Sequence, residues 1–391
     1  MAHETPRHPS AQRVDRVLRE RGLEDRVREL PDSTRTAPEA AAAVGCDVRQ
    51  IVKSLVFRTA RSGAPVLVLA SGGHRVDEQW MEREVGEPLV RADPEAVRSL
   101  TGFAIGGVPP FGHPVEIPTF IDYDLLEFRE VWAAAGHPNA IFHLTSRELL
   151  GASRGRAVPV TPQPAPREEV PWATFDCYGT LVDWNSGLLS ALESVAGPLA
   201  PSERERFFPA FLREEQLLEE AEYRSYREVL AEAARAAAAS LRLSWSGAGA
   251  ERFADSIPDW PIFPGAREGL ERLRARGLRL GLLSNMDRDL LEATIERHDL
   301  PIDAAVSATD VRSYKPLPAH WIRFLKREAV LPATVWHLSS SAHYDLEPAR
   351  RLGFRTGYVV RAPGTGRESS IADAIVPDLG QWAAKWVPPV R

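Results

Sequence analysis

Four short stretches in the second half of the chain end in side chains that together could run carboxylate chemistry. TFDCYGTLVD (174–183) leads an apolar run into Asp176, then supplies Gly179 for a tight turn and the Thr180 hydroxyl, which could bind a carboxylate or a leaving group. LLSN (282–285) ends on Ser284 and Asn285, and SYKP (313–316) carries Lys315 before a proline expected to start a helix. HLSSSAHYD (337–345) carries three serines, the last of them Ser341, and then Asp345. An Asp at a strand end is also an ordinary turn residue. What separates Asp176 from that reading is its company: two hydrogen-bond donors, a cation and a second carboxylate, each at a strand-like end. The set suits covalent catalysis by a carboxylate. Asp176 would attack, Lys315 would keep it ionised, Ser284 and Asn285 would hold substrate oxygens, and Asp345 would help activate water. Cys177 reads as a small buried apolar residue, turned away from Asp176 by strand alternation.

The first half offers a different pair of features. Lys53 interrupts a run of Ile, Val, Leu and Phe in IVKSLVFR, so its ammonium must reach a pocket or solvent. In GGVPPFG (106–112), Gly106 and Gly107 allow close approach of backbone to a ligand, and Pro109 and Pro110 stiffen the loop. Of the 48 basic residues four are lysines, Lys53, Lys315, Lys326 and Lys385. A lysine kept among so many arginines suggests a need for its compact ammonium and adjustable pKa. A rim lysine and a structural turn would account for the same residues.

The elements that would position these groups fall into two patterns. Before residue 160 helices and strands are mixed. Residues 9–22 have helical spacing, EAAAAVG (39–45) is a short helix ended by Gly45, IVKSLVFR and PVLVLASG are strands around an R-S-G turn, and PVEIPTFID and AIFHLT are further strands. This predicts an α+β domain with a mixed sheet over residues 1–160. After residue 161, strands at WATFD, LRLGLLSN, AAVSA, TVWHLSS and TGYVV alternate with helices, which predicts an α/β, Rossmann-like parallel sheet. Residues 185–255 interrupt it with helical pattern alone, placed as a cap over the strand ends. The proline-rich VPVTPQPAPREEVPW (158–172) reads as the linker.

Composition narrows the classes. Hydrophobic residues are 44% and charged residues 26%, as in globular proteins. No apolar run approaches the roughly 18 residues of a membrane span, and the polar N-terminus lacks a secretory pattern, so the expected location is cytoplasmic. Cys46 and Cys177 form no C-x-x-C. Net charge is -6 and neither half is basic, which argues against a grip on a long nucleic-acid backbone while leaving an RNA end possible.

The second-half series, over about residues 170–385, resembles the haloacid dehalogenase superfamily, and its C-Y-G-T-L first motif resembles the type II (S)-2-haloacid dehalogenase branch. The phosphatase branch has D-x-D-x-T and a magnesium ion; here the second position is Tyr178, and Asp345 stands alone where phosphatases carry two acids. The resemblance thus implies a metal-free hydrolase of a small organic acid, with no cofactor, and Mg2+ only if the phosphatase alternative holds. It also implies that Arg213, in FLREEQ, takes a leaving halide and that Tyr178 and Ser341 contact substrate. Trp321 and the Ser and His residues of the fourth motif depart from the dehalogenase pattern. In the first half, EAAAAVGCDVRQIVKSLVFR, VLVLASGGHRVD and LTGFAIGGVPPFG resemble the YbaK/prolyl-tRNA-synthetase-associated domain family. That resemblance implies a domain that deacylates or binds the aminoacylated 3' end of tRNA. Lys53 would engage the terminal ribose-phosphate, and the 106–112 loop would orient the substrate amine and a water. Three functions therefore compete: a small-acid hydrolase, an aminoacyl-tRNA deacylase with an accessory second domain, and a binder with degenerate sites.

Overall fold

The computed structural model describes residues 8–30, 36–164, 171–243, 249–361 and 366–385. The chain divides into two compact units, Met1–Ala165 and Pro166–Arg391. Residues 165–170 of the expected linker lie outside the described residues. Its first residues are not linker: Val158 and Val160 are buried, and Asp77 N–H donates to Val160 O at 2.9 Å.

The first unit is built on strands β1 (Val27–Glu29), β2 (Ile51–Thr59), β3 (Pro65–Ser71), β4 (Leu89–Arg91), β5 (Thr119–Asp122), β6 (Glu130–His137), β7 (Ala140–Thr145) and β8 (Arg156–Val158). They form one mixed sheet in the order β1-β7-β6-β2-β3-β5-β8, with β4 also paired to β2. β2 and β3 are antiparallel around the R-S-G turn, where Gly63 takes φ +69°, while β2 runs parallel to β6 and β3 parallel to β5. The 39–45 helix spans Ala37–Val44, starts on a Thr36–Glu39 capping box and stops at left-handed Gly45. Two sequence expectations change. PVEIPTFID pairs over Thr119–Asp122 alone, since Pro114 and Pro118 cannot donate to a ladder. The central strand β6, EVWAAAGH, gave no strand signal because Ala and Gly have low strand preference.

The second unit carries a parallel sheet of β9 (Trp172–Phe175), β10 (Arg279–Ser284), β11 (Ala304–Ser307), β12 (Val335–Ser339), β13 (Arg355–Val359) and β14 (Ala374–Val376), in the order β11-β10-β9-β12-β13-β14. Every pair in it is parallel. β9 is buried at all four positions, as a central strand covered on both faces must be. Because all strands point one way, their C-terminal ends share one edge, and β9, β10 and β12 bring Asp176, Ser284 and Ser339 there as neighbours. The cap is helical as expected: Trp184–Ala196, Pro201–Glu220, Tyr226–Ser240 and Gly249–Asp255, with residues 244–248 outside the described residues. Phe207, Phe211, Tyr226, Val229, Phe253 and Trp260 join it to the core beneath. The helix expected at Pro316 begins at Ala319. No helix among the described residues is long and apolar enough to cross a membrane.

Candidate active site

Asp176 follows the last residue of β9 and is 8% exposed, facing a cavity of about 650 Å³. Thr180, four residues on, donates to Asp176 Oδ2 at 2.7 Å. The turn between them is closed by Thr180, Leu181 and Val182 N–H groups on Cys177 O, and Gly179 takes φ +91° there. Thr180 therefore clamps the Asp176 carboxylate; its hydroxyl is not offered to a leaving group. Cys177 is fully buried in the core, as its reading required.

Lys315 is the electrostatic centre. Its three protons go to Asp176 Oδ1 at 2.8 Å, Asp345 Oδ1 at 2.7 Å and Leu283 O at 2.9 Å. Burial alone would lower its pKa, but the two carboxylates outweigh burial and hold it above its ordinary value. Asp345 lies in the turn after β12, where Ala342–Leu346 winds with five-residue hydrogen bonding, a form frequent at functional sites. Against the cost of burial, Lys315 and the hydrogen bond from His337 hold Asp345 low, at about 2. His337 Nε2 is 3.1 Å from Asp345 Oδ1, and Ser339 Oγ donates to Oδ2 at 3.0 Å. His337 in turn rests on Thr174 Oγ1 at 2.9 Å through Nδ1.

Asp176 behaves differently from the sequence expectation. Lys315 does pull its pKa down, but burial is the larger effect, the charge of Asp345 adds to burial, and the balance lies above the ordinary carboxylate value. One cation shared by two buried carboxylates cannot lower both, and Asp345, with its two further donors, takes the advantage.

The remaining second-unit residues divide. Ser284 and Asn285 follow one another at the end of β10 and line the cavity. The amide of Asn285 is committed: Oδ1 accepts Lys315 N–H at 2.7 Å, and Nδ2 donates to Lys315 O at 3.3 Å and Glu219 Oε1 at 3.1 Å. Asn285 thus fixes the backbone that presents the ammonium. Ser284 Oγ accepts Met286 N–H at 3.2 Å. Ser341 lines the cavity while its hydroxyl accepts Tyr344 N–H at 3.1 Å, and Tyr178 lines it with its hydroxyl on Thr294 Oγ1 at 2.6 Å. Arg213 does not reach the cavity. Leu212, Glu215 and Glu219 share the lining face of the helix Pro201–Glu220, and position 213 lies about 100° round from 212. Its side chain is 66% exposed and paired with Glu214 at 2.9 Å.

Sequence reading missed several neighbours. His320 lies buried with Nε2 on Ser284 O at 3.0 Å, and burial, followed by Lys315, pushes it down to about 3. Arg361, just past β13, lines the cavity with Nε on Thr180 O at 2.8 Å and its guanidinium over the Phe263 ring. Glu215 and Glu219 also line it. Their signal was present, because Glu215 continues the four-residue spacing of buried Phe207 and Phe211.

In the first unit, Lys53 is half-buried on β2, opposite Ala70, and its Nζ donates to Gly72 O at 3.3 Å and to His74 O. Burial lowers its pKa against an opposing pull from Asp122. The His74 ring spans Asp122 at 2.8 Å and Asp124 at 3.1 Å, a grouping that no sequence motif announced. Gly106 takes φ +86°. A Cβ on Gly107 would meet Gly136 C and O at 2.8 Å, so this glycine serves close packing against β6. Pro109 and Pro110 are buried, so they brace the loop and do not present a contact surface.

A mixed-sheet domain is thus joined to a Rossmann-like α/β domain with a buried carboxylate, a lysine and a helical cap at its strand ends. Residues 31–152 match the family model described as aminoacyl-tRNA editing domain, and residues 171–353 match that described as haloacid dehalogenase-like hydrolase. The chain thus joins a segment similar to aminoacyl-tRNA editing domains to a segment similar to haloacid dehalogenase-like hydrolases. The uncharacterized protein YwhH of Bacillus subtilis (strain 168) is 32% identical over 126 residues, 32% of this chain and 80% of that one. The (S)-2-haloacid dehalogenase 4A of Burkholderia cepacia is 29% identical over 187 residues, 46% of this chain and 79% of that one. A solved dehalogenase with intermediate complex shares the fold, at 23% identity and TM-score 0.50 over 56% of this chain and 98% of its own.

Proposed function

We propose that the second unit hydrolyses a small organic acid through a covalent ester on Asp176. The observation that carries this reading is the single ammonium of Lys315 bonded at once to Asp176 and Asp345 at the edge of a cavity. An Asp176 oxygen attacks the substrate carbon, and the leaving group departs with the bonding electrons. Water then attacks the Asp176 carboxyl carbon, the bond from that carbon to the substrate oxygen breaks, and the hydroxy acid product leaves carrying the proton that the water gave up to Asp345. Lys315 and Thr180, already bonded to the two carboxyl oxygens, stabilise the charge that develops there. Asp345, ionised beside the ester, receives the proton of the water. The likeness to the dehalogenase of Burkholderia cepacia supports a 2-haloacid or related acid as substrate.

A divalent metal does not fit this donor set. Magnesium requires near-octahedral oxygen ligands, whereas the Asp176 and Asp345 oxygens carry Lys315, Thr180, His337 and Ser339. Tyr178 stands where a phosphatase has its second carboxylate. Turnover is expected to persist in EDTA and to be lost in Asp176→Asn. A single turnover in labelled water should leave the label in Asp176. Full activity in the Asn variant, or EDTA loss restored by magnesium, would sink the reading.

For the first unit we propose deacylation or binding of an aminoacylated tRNA end through Lys53, supported by the family match over residues 31–152. Lys53→Ala should abolish that activity and leave hydrolysis by the second unit intact. Unchanged deacylation would refute the role.

A further inference from the structure

The cap side of the cavity holds chemistry that the covalent reaction does not use. Glu215 and Glu219 stand one turn apart on the helix Pro201–Glu220, both lining the cavity that holds Asp176. Glu215 accepts the Tyr226 hydroxyl, and Glu219 accepts Asn285 Nδ2 at 3.1 Å and bonds the Tyr344 hydroxyl. Asn285 links Glu219 directly to the Lys315 backbone, so the pair sits beside the reacting centre.

Burial pushes Glu215 up to about 7 and raises Glu219 well above its ordinary value, with the charge of Glu215 adding to burial. A buried acid and a partly buried one in that condition weaken the fold, and an apolar pair would not. Costly titratable groups of this kind concentrate where ligands bind. The surroundings name the ligand charge. Tyr178, Trp184, Tyr226 and Tyr344 also line the cavity, and aromatic faces beside carboxylates favour a cation. The cavity wall carries six carboxyl groups against two cations, Lys315 and Arg361, and Lys315 is already shared by two of the six.

We infer that the cavity takes a small zwitterion, its amine seated on Glu215 and Glu219 among the rings of Trp184, Tyr226 and Tyr344, and its acid group on Arg361. The inference rests on Asp176 being the nucleophile of this cavity, and adds the substrate class. The attacked carbon then lies between the charged ends. The cap offers acids where a departing anion would need a donor, so the leaving group does not exit along that face.

The test uses the full-length Asp176→Asn protein, in which the reaction is stopped. Calorimetric titration compares unbranched ω-amino acids of three to six carbons with alkanoic acids and alkylamines of the same lengths. At least one amino acid should bind about tenfold tighter, or better, than both partners. Adding Glu215→Gln and Glu219→Gln should remove its advantage over the plain acid, and Arg361→Gln its advantage over the plain amine. Thermal unfolding checks that each variant is folded. Equal or tighter binding of the plain acid, an amine advantage that survives the double substitution, or no binding by any amino acid overturns the inference. Binding is read without turnover, so the two readings fail separately. An amino acid that binds while wild-type protein forms no ester on Asp176 leaves the zwitterion site standing, and removes the covalent reading and with it the claim that this ligand is the substrate.

Discussion

Replacing Glu215 by Gln should stabilise the second unit, and by an amount that depends on pH. The carboxyl is fully enclosed, and burial raises it from 4.5 to about 7. An acid whose folded pKa is raised binds its proton more tightly when folded. The stability linked to it is whole below 4.5 and is lost as pH rises through the folded value, with the loss complete above about 7. At about 1.4 kcal/mol per pKa unit, the full loss is roughly 3 kcal/mol above pH 7 and less than about 1 kcal/mol at pH 5. Gln keeps an oxygen for the Tyr226 hydroxyl and cannot ionise, so it escapes the loss. For a unit of this size 1 kcal/mol moves the midpoint by about 2–4 °C, so the variant should melt on the order of 10 °C higher at pH 8 and within about 3 °C of wild type at pH 5. Differential scanning calorimetry of the full chain at both pH values reads this, with the first unit's transition as an internal control. A shift of equal size at both pH values, or a loss of stability at pH 8, would refute the reasoning.

Lys315→Met leaves two buried carboxylates facing each other without their cation, and should cost about 3–5 kcal/mol together with all hydrolysis; an unchanged denaturation midpoint would contradict the bridging geometry. Arg213→Ala removes an exposed side chain paired with Glu214 and should leave kcat within about twofold; a large loss would bring the arginine back to the cavity. The acid limb of kcat/KM should lie above the ordinary carboxyl value of 3.8, because Asp176 must ionise to attack and its pKa is raised. A limb below 3.8 would mean that Lys315 outweighs burial after all.

Much of this was legible because the informative residues sit at strand ends. Asp176 and Ser284 each end a short apolar run and Asp345 lies in the turn after another, and in a parallel sheet the C-terminal ends of such runs share one edge. Sequence spacing therefore brought them together before any coordinate did. Arg213 failed for the complementary reason. On a helix one residue of phase is about 100°, and FLREEQLLEE offers charged residues on every side, so only the packing of Phe207 and Phe211 decides which face turns inward. Glu215 drew no reading because acids are rarely buried, although its spacing from Phe211 already placed it inward. β6 was invisible because its Ala-rich stretch is held by neighbours β2 and β7, a tertiary effect that overrides weak local preference. His337 lay beyond reach for another reason: its role depends on the turn that brings Asp345 back beneath β12.

In the reaction proposed above, the uneven partition of charge around Lys315 would help attack by Asp176. At rest one ammonium balances two buried carboxylates, so one negative charge is in excess, and Asp176, with fewer donors than Asp345, bears it. A carboxylate held in this way is more basic and attacks carbon more readily than one fully neutralised by its own lysine. Forming the ester removes that charge from the enclosed site, since it departs with the leaving group, and leaves Lys315 and Asp345 as a balanced pair. Burial penalises unbalanced charge, so the cavity disfavours the resting nucleophile more than the intermediate. On the proposed mechanism Asp345 would thus assist attack by withholding part of the cation from Asp176. Once the ester exists the ammonium stays in place, between Leu283 O and Asp345, ready to draw charge onto the carboxyl oxygen that water must develop.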